Sequence, residues 1–317
     1  MMKAISAPDI IDPAKFRNPE FTAKGERRAT VTLRKLSTLW FNTGTLCNLT
    51  CVNCYIESSP TNDRLAYLNA AEVVSYLDEV ETGNWGTGEI GFTGGEPFMN
   101  PEIIAMLEET LGRGYRALVL SNAMRPMMKR RKALLALKDK YGQRLVIRVS
   151  IDHYSQTLHE TERGPRSWTP ALAGLKWLSD HGFHINVAGR TMWGEPEEKL
   201  RAGYGRLFVH HGIRIDPENR LALVLFPEMD DEVDVPEISV ACWDILGVDP
   251  NEVMCASSRM VVKPKETQQP VVVACTLIPY DPEFILGRTL ADSRTTVALN
   301  HPHCAKFCVL GGGSCSA

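Results

Sequence analysis

The sequence predicts an α/β fold: a partial (β/α)6 TIM-like barrel followed by a small cysteine-rich C-terminal module. Short apolar runs alternate with helical patterns over about 200 residues, six such units occur, and the cysteines cluster at either end of that stretch. Alternation of this kind specifies a parallel sheet with helices outside it. Six units are too few to close an eight-stranded barrel, and in such folds the reactive groups gather on loops at the carboxyl ends of the strands.

Each element has its own local cause. Residues 39–42, 89–93, 116–121, 145–151, 184–191 and 221–226 have strand length and strand composition. Asn69 and Glu72 form a capping box ahead of Val73, Val74, Leu77 and Val80, whose spacing makes one helical face. Pro101 opens a helix over 102–111, with Gly112 near its end. Helical patterns cover 130–140, 170–180 and 197–211, the last two stopped by Gly182 and Gly212. The opening residues carry Pro8, Pro13 and Pro19 and predict a loosely attached arm. An acidic connector over 228–237 precedes a region rich in Gly, Pro and Cys. The expected division is an arm at 1–35, a barrel at 36–236 and a module at 237–317.

Composition narrows the function. The 317 residues are 44% hydrophobic and 23% charged, which excludes disordered and fibrous classes. A net charge of −3 gives no general attraction to nucleic acid or to an anionic membrane. No apolar window reaches the ~20 residues of a membrane span, and the N-terminus lacks a signal-peptide core, so a cytoplasmic protein is expected. There, nine cysteines point to metal or redox chemistry rather than disulfides. Cys47, Cys51 and Cys54 sit together, about 190 residues without cysteine follow, and Cys242, Cys255, Cys275, Cys304, Cys308 and Cys315 close the chain. Two cysteine sites are implied.

The first has spacing C-x3-C-x2-C directly after a predicted strand, and three thiolates on one loop can grip three irons of a cubane. A structural zinc site would want a fourth ligand nearby, and none follows within the usual ~15 to 20 residues. Thr93-Gly94-Gly95-Glu96-Pro97 follows the second strand; its glycines let backbone approach a ligand, and Glu96 offers an acceptor for an ammonium. Ser150 and Asp152 end the fourth strand, and Arg163 follows.

With an aromatic, Tyr55, after the third cysteine, this pattern resembles the radical S-adenosylmethionine superfamily over about residues 36 to 226. The resemblance implies a [4Fe-4S] cluster on Cys47, Cys51 and Cys54, with the amino and carboxylate groups of S-adenosylmethionine on the fourth iron. An electron from the cluster would then release a 5'-deoxyadenosyl radical. Gly94, Gly95 and Glu96 resemble the motif for the methionyl amino group. Ser150 and Arg163 resemble the serine and arginine that contact S-adenosylmethionine in the peptide-maturing branch. Tyr55 is either a core aromatic or packs near the adenine, Asp152 either a cap or a site residue. Asn122 lies in a turn resembling T-N-G, with both flanking residues changed.

In the C-terminal part, Cys255 and Cys275 bracket two apolar runs that can pair as a hairpin with the cysteines at its base. Order and context resemble the SPASM or shorter twitch extension, which implies one auxiliary [4Fe-4S] cluster on Cys255 and Cys275 plus two of Cys304, Cys308 and Cys315. Zinc on the same thiolates is the rival, which His301 and His303 could join. Cys242 is expected to be an inert core thiol. Thr276 stands where sulfatase-maturing members carry an acidic proton acceptor, so no catalytic residue is assigned. The resemblance further implies a flavodoxin or ferredoxin type electron donor and a peptide or small-molecule substrate. Radical methyl or methylthio transfer, or a non-catalytic metal-binding role, are the alternatives.

Overall fold

A computed structural model describes residues 10–228 and 232–314. In chain order it contains β1 (Thr30–Thr32), β2 (Thr38–Asn42), α1 (Ala70–Thr82), β3 (Glu89–Thr93), α2 (Ile103–Gly112), β4 (Arg116–Ser121), α3 (Arg125–Lys129) and α4 (Arg131–Tyr141). Then come β5 (Leu145–Ser150), α5 (Gln156–Arg163), α6 (Trp168–Asp180), β6 (His184–Arg190), α7 (Glu197–His211) and β7 (Leu223–Phe226). The C-terminal part holds α8 (Cys242–Leu246), β8 (Ser258–Val262), β9 (Val271–Val273), β10 (Ile285–Gly287), β11 (Thr296–Ala298) and a π-helical turn, Cys304–Val309. All six strands expected from the apolar runs form, and each of the five helical patterns is a helix.

One mixed sheet organises the molecule, in the order β10-β9-β8-β2-β3-β4-β5-β6-β7. Strands β2 to β7 run parallel in sequence order, as the partial barrel expected from the sequence requires. Side chains alternate between its faces with period two. Leu39, Phe41, Ala117, Val119, Ile147 and Val149 join the core under the helices, while Trp40, Leu118 and Val146 join a second core on the other face. Gly91 sits opposite Trp40 in the register, and a Cβ there would fall 2.2 Å from the indole. Helix α1 begins as its capping box dictates: Asn69 Oδ1 accepts from Glu72 N at 2.8 Å, and Glu72 Oε2 accepts from Asn69 N at 2.9 Å.

The second core is where the C-terminal part enters. The expected hairpin forms, β8 antiparallel to β9, but β8 also pairs in parallel with β2, so the hairpin extends the barrel sheet. Met260, Val262, Val273, Leu299 and Phe307 cover the inner face that Trp40, Leu118 and Val146 leave open. The arm is tied down as well. Lys15 Nζ meets Asp234 at 2.7 Å, buried Arg28 meets Glu237 at 2.5 Å, and β1 pairs with β11. Pro8 lies outside the described residues; from residue 10 onward the looseness expected of the arm is opposed by the acidic connector, whose Asp234 and Glu237 pair with Lys15 and Arg28.

Candidate functional site: a barrel-mouth cavity and a four-cysteine pocket

The loop after β2 carries Cys47, Cys51 and Cys54, and its neighbours fix it by backbone contacts. Gly95 N donates to Gly44 O at 2.9 Å, Glu96 N to Leu46 O at 3.2 Å, and Cys47 N to Ser59 O at 3.0 Å. From the far side, Glu162 on α5 holds the loop between the second and third cysteines: its carboxylate accepts from Asn53 N at 3.0 Å and Asn53 Nδ2 at 2.9 Å. Arg190, ending β6, donates to the same carboxylate at 2.8 Å.

These elements enclose a cleft of about 140 Å³, open to solvent at its mouth. Cys47, Cys51, Cys54 and Tyr55 line it from one side, and Gly94, Gly95, Ser150 and Arg163 from the others. Asn122 and Asp152 are on the wall too. Glu96 lies behind the lining, 1% exposed, accepting from Asn122 N, Phe98 N and the Ser121 hydroxyl. Asp152 holds Arg163 bidentately, Nε at 2.5 Å and Nη2 at 3.0 Å. Tyr55 OH is 3.4 Å from Thr93 Oγ1.

The two glycines have a different immediate cause from the one expected. A Cβ on Gly94 would fall 2.4 Å from Gly44 O, and one on Gly95 2.3 Å from Leu46 O. They make room for the cysteine loop's own backbone, and so bring the two loops together along one wall of the cavity. Arg190 and Glu162 were missed by the sequence reading. Neither belongs to a motif, and only their positions at the carboxyl end of a strand and one residue before Arg163 point to them.

Electrostatics follow from burial. Burial pushes the Cys47 thiol up to about 12 and the Cys51 thiol up to about 11, the latter against the nearby Arg163 charge. Burial also raises Glu96 to about 7, opposed by the N–H groups of Asn122 and Phe98, the Ser121 hydroxyl and Arg163. Burial alone would lower Arg163; the charge of Asp152 outweighs it and holds the guanidinium above its usual range. Arg190 is 5% exposed, yet its Nε and Nη2 have no partner.

This donor set fits an iron-sulfur cluster and a zwitterionic ligand. Leu49 N donates to Cys47 Sγ at 3.4 Å, a contact that favours its thiolate, and Ser58 N donates to Cys54 Sγ at 3.3 Å. Among the described residues no three His, Cys, Asp or Glu side chains converge on one ion position. The unpartnered Arg190 edge suits an anionic group of the ligand.

A second, smaller pocket is apolar and lined by Cys255, Cys275, Cys304 and Cys308, together with Phe284 and His303. Cys255 precedes β8 and Cys275 follows β9, at the hairpin base as expected. Cys304 and Cys308 lie one π-helical turn apart. Leu277 N donates to Cys275 Sγ at 3.3 Å. Burial raises Cys255 to about 11 and holds the Cys304 thiol well above its ordinary value. Cys315 lies outside the described residues. Cys242 lines neither pocket; half-buried on α8, it packs against the second core with Sγ 3.6 Å from Ser239 Oγ. No described helix is long and apolar enough to cross a membrane.

Fold and cavity together define a class. The radical SAM superfamily model matches residues 41–202, just over half the chain, and the chain belongs to that superfamily. Over 152 residues it is 31% identical to the antilisterial bacteriocin subtilosin biosynthesis protein AlbA of Bacillus subtilis (strain 168), covering 46% of this chain and 32% of that one. Over 146 residues it is 29% identical to an AdoMet-dependent heme synthase of Oleidesulfovibrio alaskensis, covering 44% and 35%. The match spans about a third of the length of these curated relatives. Among solved structures, Streptococcus suis SuiB bound to S-adenosylmethionine superposes with a TM-score of 0.58 at 10% identity, over 80% of this chain and 63% of that one. The anSMEcpe structure with bound AdoMet gives 0.57 at 12% identity, over 85% and 82%. At these identities the likeness is one of fold.

Proposed function

We propose that this enzyme cleaves S-adenosylmethionine reductively at a [4Fe-4S] cluster on Cys47, Cys51 and Cys54, and takes hydrogen from a peptide substrate held in the barrel mouth. The observation that carries the reading is that one cavity brings these three cysteines together with Gly94, Gly95, Ser150 and Arg163, over buried Glu96. When bound, the cluster and S-adenosylmethionine supply the electron transfer that generates a 5'-deoxyadenosyl radical.

The chain's own residues do the rest. Cys47, Cys51 and Cys54 would hold the metal as thiolates, so loading releases protons, which burial otherwise retains at Cys47 and Cys51. Glu96 keeps lone pairs for the methionyl ammonium beyond the three donors it already accepts. Ser150 and Arg163, the latter oriented by Asp152, face the carboxylate. Tyr55 closes the wall where the adenine would pack.

In the second pocket, Cys255, Cys275, Cys304 and Cys308 would hold an auxiliary [4Fe-4S] cluster of SPASM or twitch type, with Cys315 the substitute for either of the last two. A cytoplasmic site and a flavodoxin or ferredoxin type donor complete the proposal. The peptide substrate is supported by AlbA, named for bacteriocin biosynthesis, and by a SuiB structure bound to its precursor peptide SuiA. The heme synthase relative supports a second reading, a small-molecule substrate.

The test is anaerobic reconstitution with iron and sulfide, reduction by dithionite, and chromatography of the products. 5'-Deoxyadenosine is expected, and should vanish when Cys47, Cys51 and Cys54 become alanine. Retained cleavage in that variant refutes the assignment, and S-adenosylhomocysteine as a product would point to methyl transfer.

A further inference from the structure

Of the arginines with buried or nearly buried side chains, which also include Arg148 on β5, five can be compared by the company they keep. Arg28 pairs with Glu237, Arg163 with Asp152, Arg190 with Glu162 and Arg201 with Glu197. Arg259 on β8 is fully buried and differs. It donates to Cys255 O at 2.6 Å, Ser258 O at 2.8 Å, Ser293 O at 3.2 Å and Thr295 O at 3.4 Å, all backbone carbonyls. Among the described residues no carboxylate pairs with it; the groups that would act on its charge are Cys255 and Cys275, once they give up their protons to a metal centre.

Carbonyl dipoles satisfy the N–H groups of a guanidinium but do not neutralise its charge. An unpaired ion costs several kcal/mol in the interior, and buried charges are paired or coordinate metals. Here the adjoining pocket has four cysteines and an otherwise apolar wall. A centre with four thiolate ligands carries the negative charge that Arg259 lacks.

We propose that Arg259 is the counter-cation of the four-cysteine site and raises the reduction potential of the centre bound there. This rests on the auxiliary-cluster reading above. An electron entering a negatively charged centre is opposed by that charge, and a fixed positive charge in a medium of low dielectric eases its entry. Arg259 acts through the sulfur ligands and is a positioning residue, not a catalytic one.

The experiment uses the full chain with Cys47, Cys51 and Cys54 replaced by alanine, so that the remaining iron-sulfur signal comes from the C-terminal thiols. After anaerobic reconstitution, its midpoint potential is read by paramagnetic resonance in a dithionite titration, for Arg259, Arg259→Lys and Arg259→Gln. Gln is expected to favour the oxidised form by about tenfold, a fall of about 59 mV for one electron, while Lys, which keeps the charge, stays close to the parent. An unchanged midpoint in Gln, or equal falls in Lys and Gln, overturns the proposal. Should Gln fail to fold, Lys decides alone: a tenfold displacement with the charge retained overturns it, and an unmoved midpoint supports it. A parent chain with no signal removes the auxiliary cluster itself, and this inference with it, a failure recognisable because it appears before any change at Arg259.

Discussion

Glu96 is almost wholly buried, and the consequence is measurable without any cofactor. Its folded value of about 7 lies above the ordinary glutamate value of 4.5, so the neutral form is favoured on folding. The stability it contributes is fully present below pH 4.5 and is lost as pH rises through 7. The difference amounts to about 3 kcal/mol at one pH unit per 1.36 kcal/mol. Denaturant unfolding of the metal-free protein at a series of pH values should show this fall relative to Glu96→Gln; parallel curves would contradict it. Arg190 and Glu162 make the opposite kind of case, a buried pair with side chains 6% and 4% exposed. Arg190→Leu strands the Glu162 carboxylate and should cost about 3–5 kcal/mol, most of it recovered in the double variant with Glu162→Leu. A double variant no more stable than the single one would assign the loss to packing instead.

At the scale of elements, the glycines of the loop after β3 tie two loops into one wall. Gly95→Ala would put a methyl against Leu46 O, which is backbone and cannot step aside cheaply. The cysteine loop must then shift, and iron bound at Cys47, Cys51 and Cys54 should fall by more than half while α1 and its far-ultraviolet signal persist. Full iron occupancy would show that the loop tolerates the displacement. By contrast Asn69→Ala removes only the cap of α1 and should cost about 1 kcal/mol with the iron unchanged. Which elements were legible follows the same physics. Strands and helices with one apolar face announce themselves by period, and the capping box was readable residue by residue. Helix α5 was not, because QTLHETER has no apolar stripe and its buried residues are His159 and Glu162. The site was read through its cysteines, glycines and Arg163; its supporting carboxylate stayed hidden in that polar helix.

At the scale of the molecule, the cysteine distribution suggests a division of the chain near residue 236, but not how the later residues attach. The parallel pairing of β8 with β2 joins segments more than 200 residues apart, and no periodicity within either strand encodes its partner. The alternation in β2 does show that both of its faces are apolar: Leu39 and Phe41 on one side, Trp40 on the other. A strand apolar on both sides needs cover on both, as strands of parallel sheets do. Helices supply one cover, and the residues after 237 supply the other, with Met260, Val262 and Phe307 against Trp40, Leu118 and Val146. The two cysteine sites are therefore built on one sheet, at its mouth and at its added edge. A chain ended after residue 236 should lose the partner of β2, expose the inner face and free Arg28 from Glu237. It should bind a hydrophobic dye, lose its near-ultraviolet signal and unfold without a cooperative transition. A soluble fragment that unfolds in one sharp step and still takes up a single cluster would show that the barrel folds alone, and that the C-terminal residues only decorate it.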